Sequence, residues 1–328
     1  MRTMRATRRL LAAASGARLA YAALTRVPPG GEQTWTRTNH RAEPVTLLEG
    51  PAVTIAAAGA ALAVPGLDPG TRLALGVAAA GAGALGCYDD LAGGSDRHGF
   101  RGHLGALARG EVTTGAIKIA GIGATALAAG LLLDRAGSGG GGAGAAGRQA
   151  SALARLTDVV INTGLVAGGA NLVNLFDLRP GRAIKVSLLA SVALGFGGPR
   201  ARAAAAAPAG AAAALLPEDL GERAMLGDSG ANAIGAMLGV AAASLPRRSR
   251  VLVLVGVAAL TAASERVSFT KVIARNPALN WLDMLGRSGR KPGPPAARTS
   301  GAAEPVGAVT LDGEARAASA PADTSRPQ

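Results

Sequence analysis

Apolar runs of roughly 15–25 residues alternate with short polar breaks along most of the chain, close to the length that crosses a bilayer as a helix. They fall at about residues 9–26, 51–67, 71–89, 112–133, 155–176, 182–197, 201–216, 228–245 and 250–266. The pattern predicts an all-α, polytopic membrane bundle of about nine transmembrane helices. Basic Met1–Arg9 followed by Leu10–Leu24 is like a secretory signal, but with so many apolar runs behind it the segment reads as a first membrane helix. Pro65-Gly66 and Pro69-Gly70 mark a tight turn. A Gly/Ala/Ser stretch over 135–148 reads as a flexible linker, and Asn276–Arg290 as a short interfacial helix. Residues 1–290 form the expected membrane domain. Residues 291–328, rich in Pro, Ala, Thr and Ser, read as a disordered cytoplasmic tail.

Composition agrees. The 328 residues are 49% hydrophobic but only 2% aromatic, with 48 glycines. Small residues at this density suit helices whose backbones approach closely in lipid. The net charge of +13 comes from Arg and Lys in short clusters between apolar runs, which fits anionic lipid or an anionic substrate and argues against nucleic acid. The single cysteine, Cys87, excludes an intramolecular disulfide and a Cys-based zinc site.

Polar residues are not scattered evenly among the breaks. The loops at 34–50, 90–110, 177–182, 217–227 and 266–290 follow helices one, three, five, seven and nine, which puts all five on one face of the membrane. The other connections carry no carboxylate constellation. The Arg clusters at 2–9 and 247–250 fall on the opposite side, against the positive-inside rule; the segregation of the polar loops decides the orientation, with their face in the cytoplasm.

That shared face gathers the candidate chemistry. Asp89 and Asp90 end the third apolar run, and on a helix adjacent side chains diverge by about 100°. One carboxylate can hold a metal while the other takes a proton; the pair can equally be a solvated helix end. Asn171, Asn174 and Asp177 recur at i, i+3 and i+6, either facing a substrate or satisfying each other between helices. Asp228 lies in Gly227-Asp228-Ser229-Gly230, either a metal ligand or an N-cap; Gly230, Gly235 and Gly239 read as a packing face. Arg101, Arg109, Lys118, Arg179, Arg182 and Lys185 suit a phosphate or diphosphate. His98 and His103 lie in the same charged loop as solvated or phosphate-contacting residues, and His40 with Arg41 can contact substrate. Carboxylates and amides without thiols favour a hard ion, Mg2+ or Mn2+.

The ordered set resembles the polyprenyl-phosphate N-acetylhexosamine-1-phosphate transferases, the MraY/WecA type of glycosyltransferase family 4. Gly86-x-x-Asp89-Asp90 is similar to that family's aspartate pair. Gly99-Phe-Arg101-Gly-His103-Leu, with Gly110 and Thr113 to Lys118, is similar to its next loop and helix start. Asn171-x-x-Asn174-x-x-Asp177 resembles its Asn/Asp motif, and Leu226-Gly-Asp228-Ser-Gly230 the segment supplying its magnesium ligand. Glu265-x-x-Ser268 is similar to its late helix. The resemblance covers about residues 10–290. It implies an MraY-like fold and an integral plasma-membrane transferase in cell-wall biogenesis. The enzyme would move a sugar-1-phosphate from a UDP-sugar to polyprenyl phosphate and release UMP. By the same resemblance Asp228 binds Mg2+, Asp89 or Asp90 serves the lipid phosphate, and Asp177 and Asn174 organise the donor diphosphate. Asn171, Arg101, His103, Lys118, Arg179, Arg182 and Lys185 are implied on the substrate side, and a homodimer is compatible with it.

The chain also departs from the family's pattern. Asp177-Leu-Arg-Pro180-Gly181 has proline where a second aspartate is usual, Asn276–Trp281 has no histidine cluster, and no tenth apolar run follows Leu285. A catalytically weak paralogue that holds polyprenyl phosphate as a scaffold therefore stays open. A transporter does too, less readily, because its acids would be expected near the bilayer midplane rather than at one boundary.

Overall fold

A computed structural model describes residues 2–92, 113–138 and 152–287, all within one unit, Met1–Lys291. Each apolar run becomes a helix: α1 (Arg2–Arg26), α2 (Glu49–Ala63), α3 (Pro69–Ala92), α4 (Thr114–Ser138), α5 (Ala152–Phe176), α6 (Arg182–Phe196), α7 (Pro199–Leu220), α8 (Gly227–Ala242) and α9 (Arg247–Ser264). Two short helices follow, α10 (Phe269–Arg275) and α11 (Pro277–Met284). Local chemistry fixes several starts. Asp68 accepts the Thr71 N–H and hydroxyl, 2.8 Å each, before α3. The Asn276 side chain accepts two N–H groups of α11, whose first residue is Pro277.

Not every helix is built to cross a membrane. Among the described residues α3, α4 over Thr114–Arg135, and α5 are long and apolar enough to do so. A fourth span exists if α9 and α10, bent by 95° at their junction, are one broken crossing. The nine passes expected from the sequence thus come down to nine helices and three or four candidate spans. The reasons are length and charge. At 15 residues each, α2 and α6 reach about 22 Å, short of the ~30 Å hydrocarbon core. Helix α1 carries Arg at both ends and at Arg18 between them, and α7 carries Arg200 and Arg202 at its start and Glu218 and Asp219 at its end.

The bundle is organised around α8, in which every residue is buried except Asp228. It packs on α3, α5, α2 and α7. The core there is mostly alanine, with Leu75, Ile234, Met237 and Val240 as its larger side chains. Gly235 and Gly239 stand directly against the backbone of α5 at Gly169 and Leu165, where any Cβ would collide. This is the small-residue face read from the sequence, and it lets two helices meet backbone to backbone.

The loop before α2 holds an element that the hydropathy pattern missed. Thr36–Thr38 and Pro44–Thr46 form an antiparallel hairpin with Thr36 opposite Thr46, and Thr46 also bridges Ala224 ahead of α8. Trp35 is buried beside it and donates its indole N–H to the Pro29 carbonyl at 2.7 Å.

Among the described residues, the polar segments around 36–46, 177–182, 217–227 and 270–287 meet at one end of the bundle, through Asn39 and Glu222, the cavity shared by Arg179 and Glu222, and Arg182 and Asp283. At the other end, several of the arginines that weighed against the orientation are held internally. Arg9 is fully buried and donates to the carbonyls of Ala203 (2.9 Å) and Val64 (2.6 Å), the latter just past the C-terminus of α2, where a cation is favoured. Arg250 donates to Asn162 and Asp158, and Arg247 pairs with Asp158.

Candidate active site

The site is assembled where α8 begins. The Asp90 carboxylate accepts the backbone N–H groups of Asp228 and Ser229, both at 3.0 Å. The Asp177 carboxylate, just past the end of α5, lies near the N–H of Gly227. One acid from another helix thus satisfies two orphan donors of this helix start. Glycine is required twice. Gly227 sits at φ +60, and a Cβ on it would stand 3.0 Å from Asp90 Oδ2. At Gly86 a Cβ would run into the Asp228 carbonyl, so only glycine lets α3 deliver its acid pair this close. The Asp90 carbonyl is held as well, by Arg37 of the hairpin at 2.5 Å.

Asp89 faces a different neighbour, as the divergence along a helix requires. Lys118 of α4 donates to Asp89 Oδ2 at 3.1 Å and makes a very short contact with Asp228 Oδ2. The Asp89 and Asp228 carboxylates are themselves within hydrogen-bonding reach, and Thr114 also bonds Asp89. Two carboxylates so close share a proton or a cation. Among the described residues no group of three or more His, Cys, Asp and Glu is arranged to hold a metal. A Mg2+ site does not need one: one or two carboxylates plus substrate phosphate oxygens are its usual partners. Asp228 and Asp89 fit that requirement, with Lys118 as the local counter-charge.

Two cavities, of about 270 and 300 Å3, share His40, Arg179, Pro180 and Glu222, and neither is lined by Asp89, Asp90, Asp228 or Lys118. The smaller also reaches Asp177 and Asp219. Burial pushes the Asp177 carboxyl well above the usual range, helped by the neighbouring Asp219, Asp228 and Asp90. Burial and the Arg179 charge lower His40. Glu222, at a left-handed φ of +53, joins the hairpin to the α7–α8 connection by accepting a hydrogen bond from Asn39 at 2.9 Å and forming an ion pair with Arg41 at 2.8 Å. Arg179 lines both cavities, and its guanidinium makes no hydrogen bond or ion pair among the described residues. It is the basic side chain best placed for an incoming anion.

The remaining sequence candidates separate. Arg182 is buried, with Nε and Nη2 on the two oxygens of Asp283 (2.8 and 3.0 Å) and Nη1 on Thr270 (2.9 Å). Lys185 donates to the carbonyls of Leu282 (3.1 Å) and Asp283 (2.7 Å). Both fasten α10 and α11 to α6, and their donors are taken. Asn171 is exposed and donates to Thr261 of α9 at 3.3 Å. Asn174 is half-buried, and its carbonyl accepts the Asp177 N–H. The three-residue Asn/Asp series therefore does not converge on one point. Arg101 and His103 lie outside the described residues, as do His98, Arg109, most of the 135–148 linker and the 291–328 tail.

Sequence reasoning missed four acids. Glu49 is fully buried and neither of its carboxylate oxygens is hydrogen-bonded. Asp219 is buried, with Oδ2 not hydrogen-bonded. Glu222 and Asp283 organise the cavity walls. A signal existed for Asp219 and Glu222, which lie in the charged 217–227 loop, but none for Glu49 in an apolar start or for Asp283 in a short amphipathic helix. No protein-family model and no curated protein matches the chain.

Proposed function

We propose that the chain is a membrane-embedded phosphoglycosyl transferase that moves a sugar-1-phosphate from a UDP-sugar to polyprenyl phosphate, with Mg2+, in cell-envelope glycan biosynthesis. One observation carries the reading. Asp89 and Asp228, from helices far apart in sequence, converge on Lys118 at a buried helix start, at the same end of the bundle as a cavity lined by Asp177 and by Arg179, whose guanidinium has no partner among the described residues. Acids that hold a hard ion next to a cation that holds an anion are what a diphosphate donor requires. In this reading an acceptor phosphate oxygen attacks the sugar-bearing phosphorus, the bond to the α-phosphate oxygen breaks, and UMP leaves. Asp89 holds or removes the acceptor's proton. Arg179 orients the donor's phosphates, and Asp228 with Asp89 holds the metal, which neutralises diphosphate charge when bound. Asp90 keeps the start of α8, and with it Asp228, in place. The polar end faces the cytoplasm of the plasma membrane; reporter fusions at Arg182 and Arg223 on one side and Pro246 on the other test that placement.

A second reading is a paralogue that binds polyprenyl phosphate without turnover. The observation favouring it is Lys118, whose ammonium already occupies the place between the two acids. Exchange of labelled UMP into a UDP-sugar, with polyprenyl phosphate present, separates the two. Mg2+-dependent exchange supports the transferase. Lipid binding without exchange on a panel of UDP-sugars overturns it in favour of the paralogue.

A further inference from the structure

Helices α10 and α11 have two unlike sides. On one, Phe269 stacks on Phe176 with ring centroids 5.0 Å apart, and Thr270 and Asp283 are bound by Arg182. On the other, Val272 and Trp281 are exposed, Trp281 at 67%, and Leu279 and Leu285 nearby are exposed as well. Beside them Arg266, Lys271 and Arg275 are exposed and have no ion-pair partner among the described residues; Glu265 is the exposed acid of the stretch. Lys271 and Arg275, four apart, share one stripe of α10.

The bend supplies the geometry. One face of helix α9 packs on α5, with Leu254 against Gly164 and Val257 against Gly168, while no residue of it is fully buried and Leu252 and Val255 on its outer face are exposed at 72% and 60%, as suits a face turned to lipid. If α9 by itself makes the crossing, a helix turned by 95° from it runs close to the membrane plane, at the depth where the crossing ends. Aliphatic and Trp side chains beside Lys and Arg on a helix in that plane are the composition of an interfacial anchor. The long cationic side chains reach to the headgroups while the apolar ones stay in the acyl boundary.

We infer that the α10–α11 arm is an interfacial anchor that selects anionic phospholipid headgroups through Arg266, Lys271 and Arg275, with Trp281 at the headgroup level. The occupant follows from charge: three unpaired cations against one acid, at the end of the bundle that carries the polar loops. Because Arg182, Lys185 and Arg287 tie the arm to the cavity walls, the lipids around it set the position of residues that line the site.

Trp281 reports on this directly. The chain has two tryptophans, and the other, Trp35, is buried. The difference in emission between the full-length protein and Trp281→Phe, both in vesicles, isolates the reporter. In fully brominated phosphatidylcholine, Trp281 should be quenched. With a minority of brominated phosphatidylglycerol in plain phosphatidylcholine, quenching should exceed that from the same fraction of brominated phosphatidylcholine by about twofold or more, since a basic side chain near an anionic surface favours it by up to about fivefold. The triple change Arg266→Gln, Lys271→Gln, Arg275→Gln should remove the excess and keep the quenching by brominated phosphatidylcholine. Absence of quenching in any vesicle overturns the anchor and points to a covering protein surface, such as a second copy. Equal quenching by both lipids, or an excess that survives the triple change, overturns the selectivity. No substrate enters the measurement, so its outcome is independent of the transferase assay.

Discussion

Replacing Asp90 separates a structural acid from a chemical one. Its carboxylate accepts two backbone N–H groups at 3.0 Å each, at the start of the most buried helix. In Asp90→Ala both donors lose their partner in a half-closed site. Deleting a capping side chain costs about 0.5–2 kcal/mol, and a hydrogen bond to a charged group contributes about 1.5–3 kcal/mol. The two bonds share one side chain and are not additive, so a loss of about 2–4 kcal/mol is expected. At roughly 2–4 °C per kcal/mol for a protein of this size class, Tm should fall by about 4–16 °C. Asp90→Asn retains one acceptor oxygen and should lose about half as much. The assay is thermal unfolding in detergent, followed by the emission of buried Trp35, beside Asp89→Asn as the comparison. Asp89 makes no bond to α8 backbone, and its variant should unfold within a few degrees of wild type. Wild-type Tm in Asp90→Ala, together with lost exchange activity, would refute the reasoning and return Asp90 to the chemistry.

Three further outcomes follow from the same geometry. Asp228→Asn removes charge but little volume, and exchange turnover should fall by about 10²-fold or more at unchanged Tm; wild-type turnover at normal membrane abundance would sink the metal assignment. Asp283→Ala strands Arg182 and Arg287 without their carboxylate and should destabilise by about 3–5 kcal/mol, whereas Arg182→Met combined with Asp283→Leu should recover much of the loss; unfolding in detergent measures both. Asp219 is pushed by burial from 3.8 to about 7, against the opposing pull of the Gly181 N–H, Arg287 and Lys185. An acid whose folded value lies above its unfolded one binds its proton more tightly when folded, so its contribution is greatest at low pH and declines as pH rises from about 4 to about 7. Asp219→Asn should flatten that part of the stability–pH curve, and an unchanged slope would show that Asp219 ionises freely.

Hydropathy alone was enough to place the nine helices, because an apolar run bounded by Pro, Gly and charge has few other structures to adopt. Their bounds agree with the pattern to within a few residues at most ends; the basic start of α1, which reaches back to Arg2, is the largest difference. Hydropathy did not tell spans from shorter buried helices. An alanine run such as that of α7 is equally at home in protein and in lipid, and only packing shows that it is buried. The hairpin at 36–46 was invisible because its strands are three residues each and carry no alternation to read.

For the site, the sequence determined which residue types gather at one end, since loop parity is a property of chain order. The tertiary structure decided their roles. Adjacent Asp89 and Asp90 look interchangeable in sequence, yet a turn of about 100° sends one to Lys118 and Asp228 and the other to the N–H groups of α8. Arg182 and Lys185 look like anion binders, but Asp283, about a hundred residues further on, engages them both. Arg179, three residues from Arg182, keeps its guanidinium unpaired among the described residues. Which charges are spent on holding the fold and which are left for a ligand depends on contacts between distant segments, and local sequence carries no information about those.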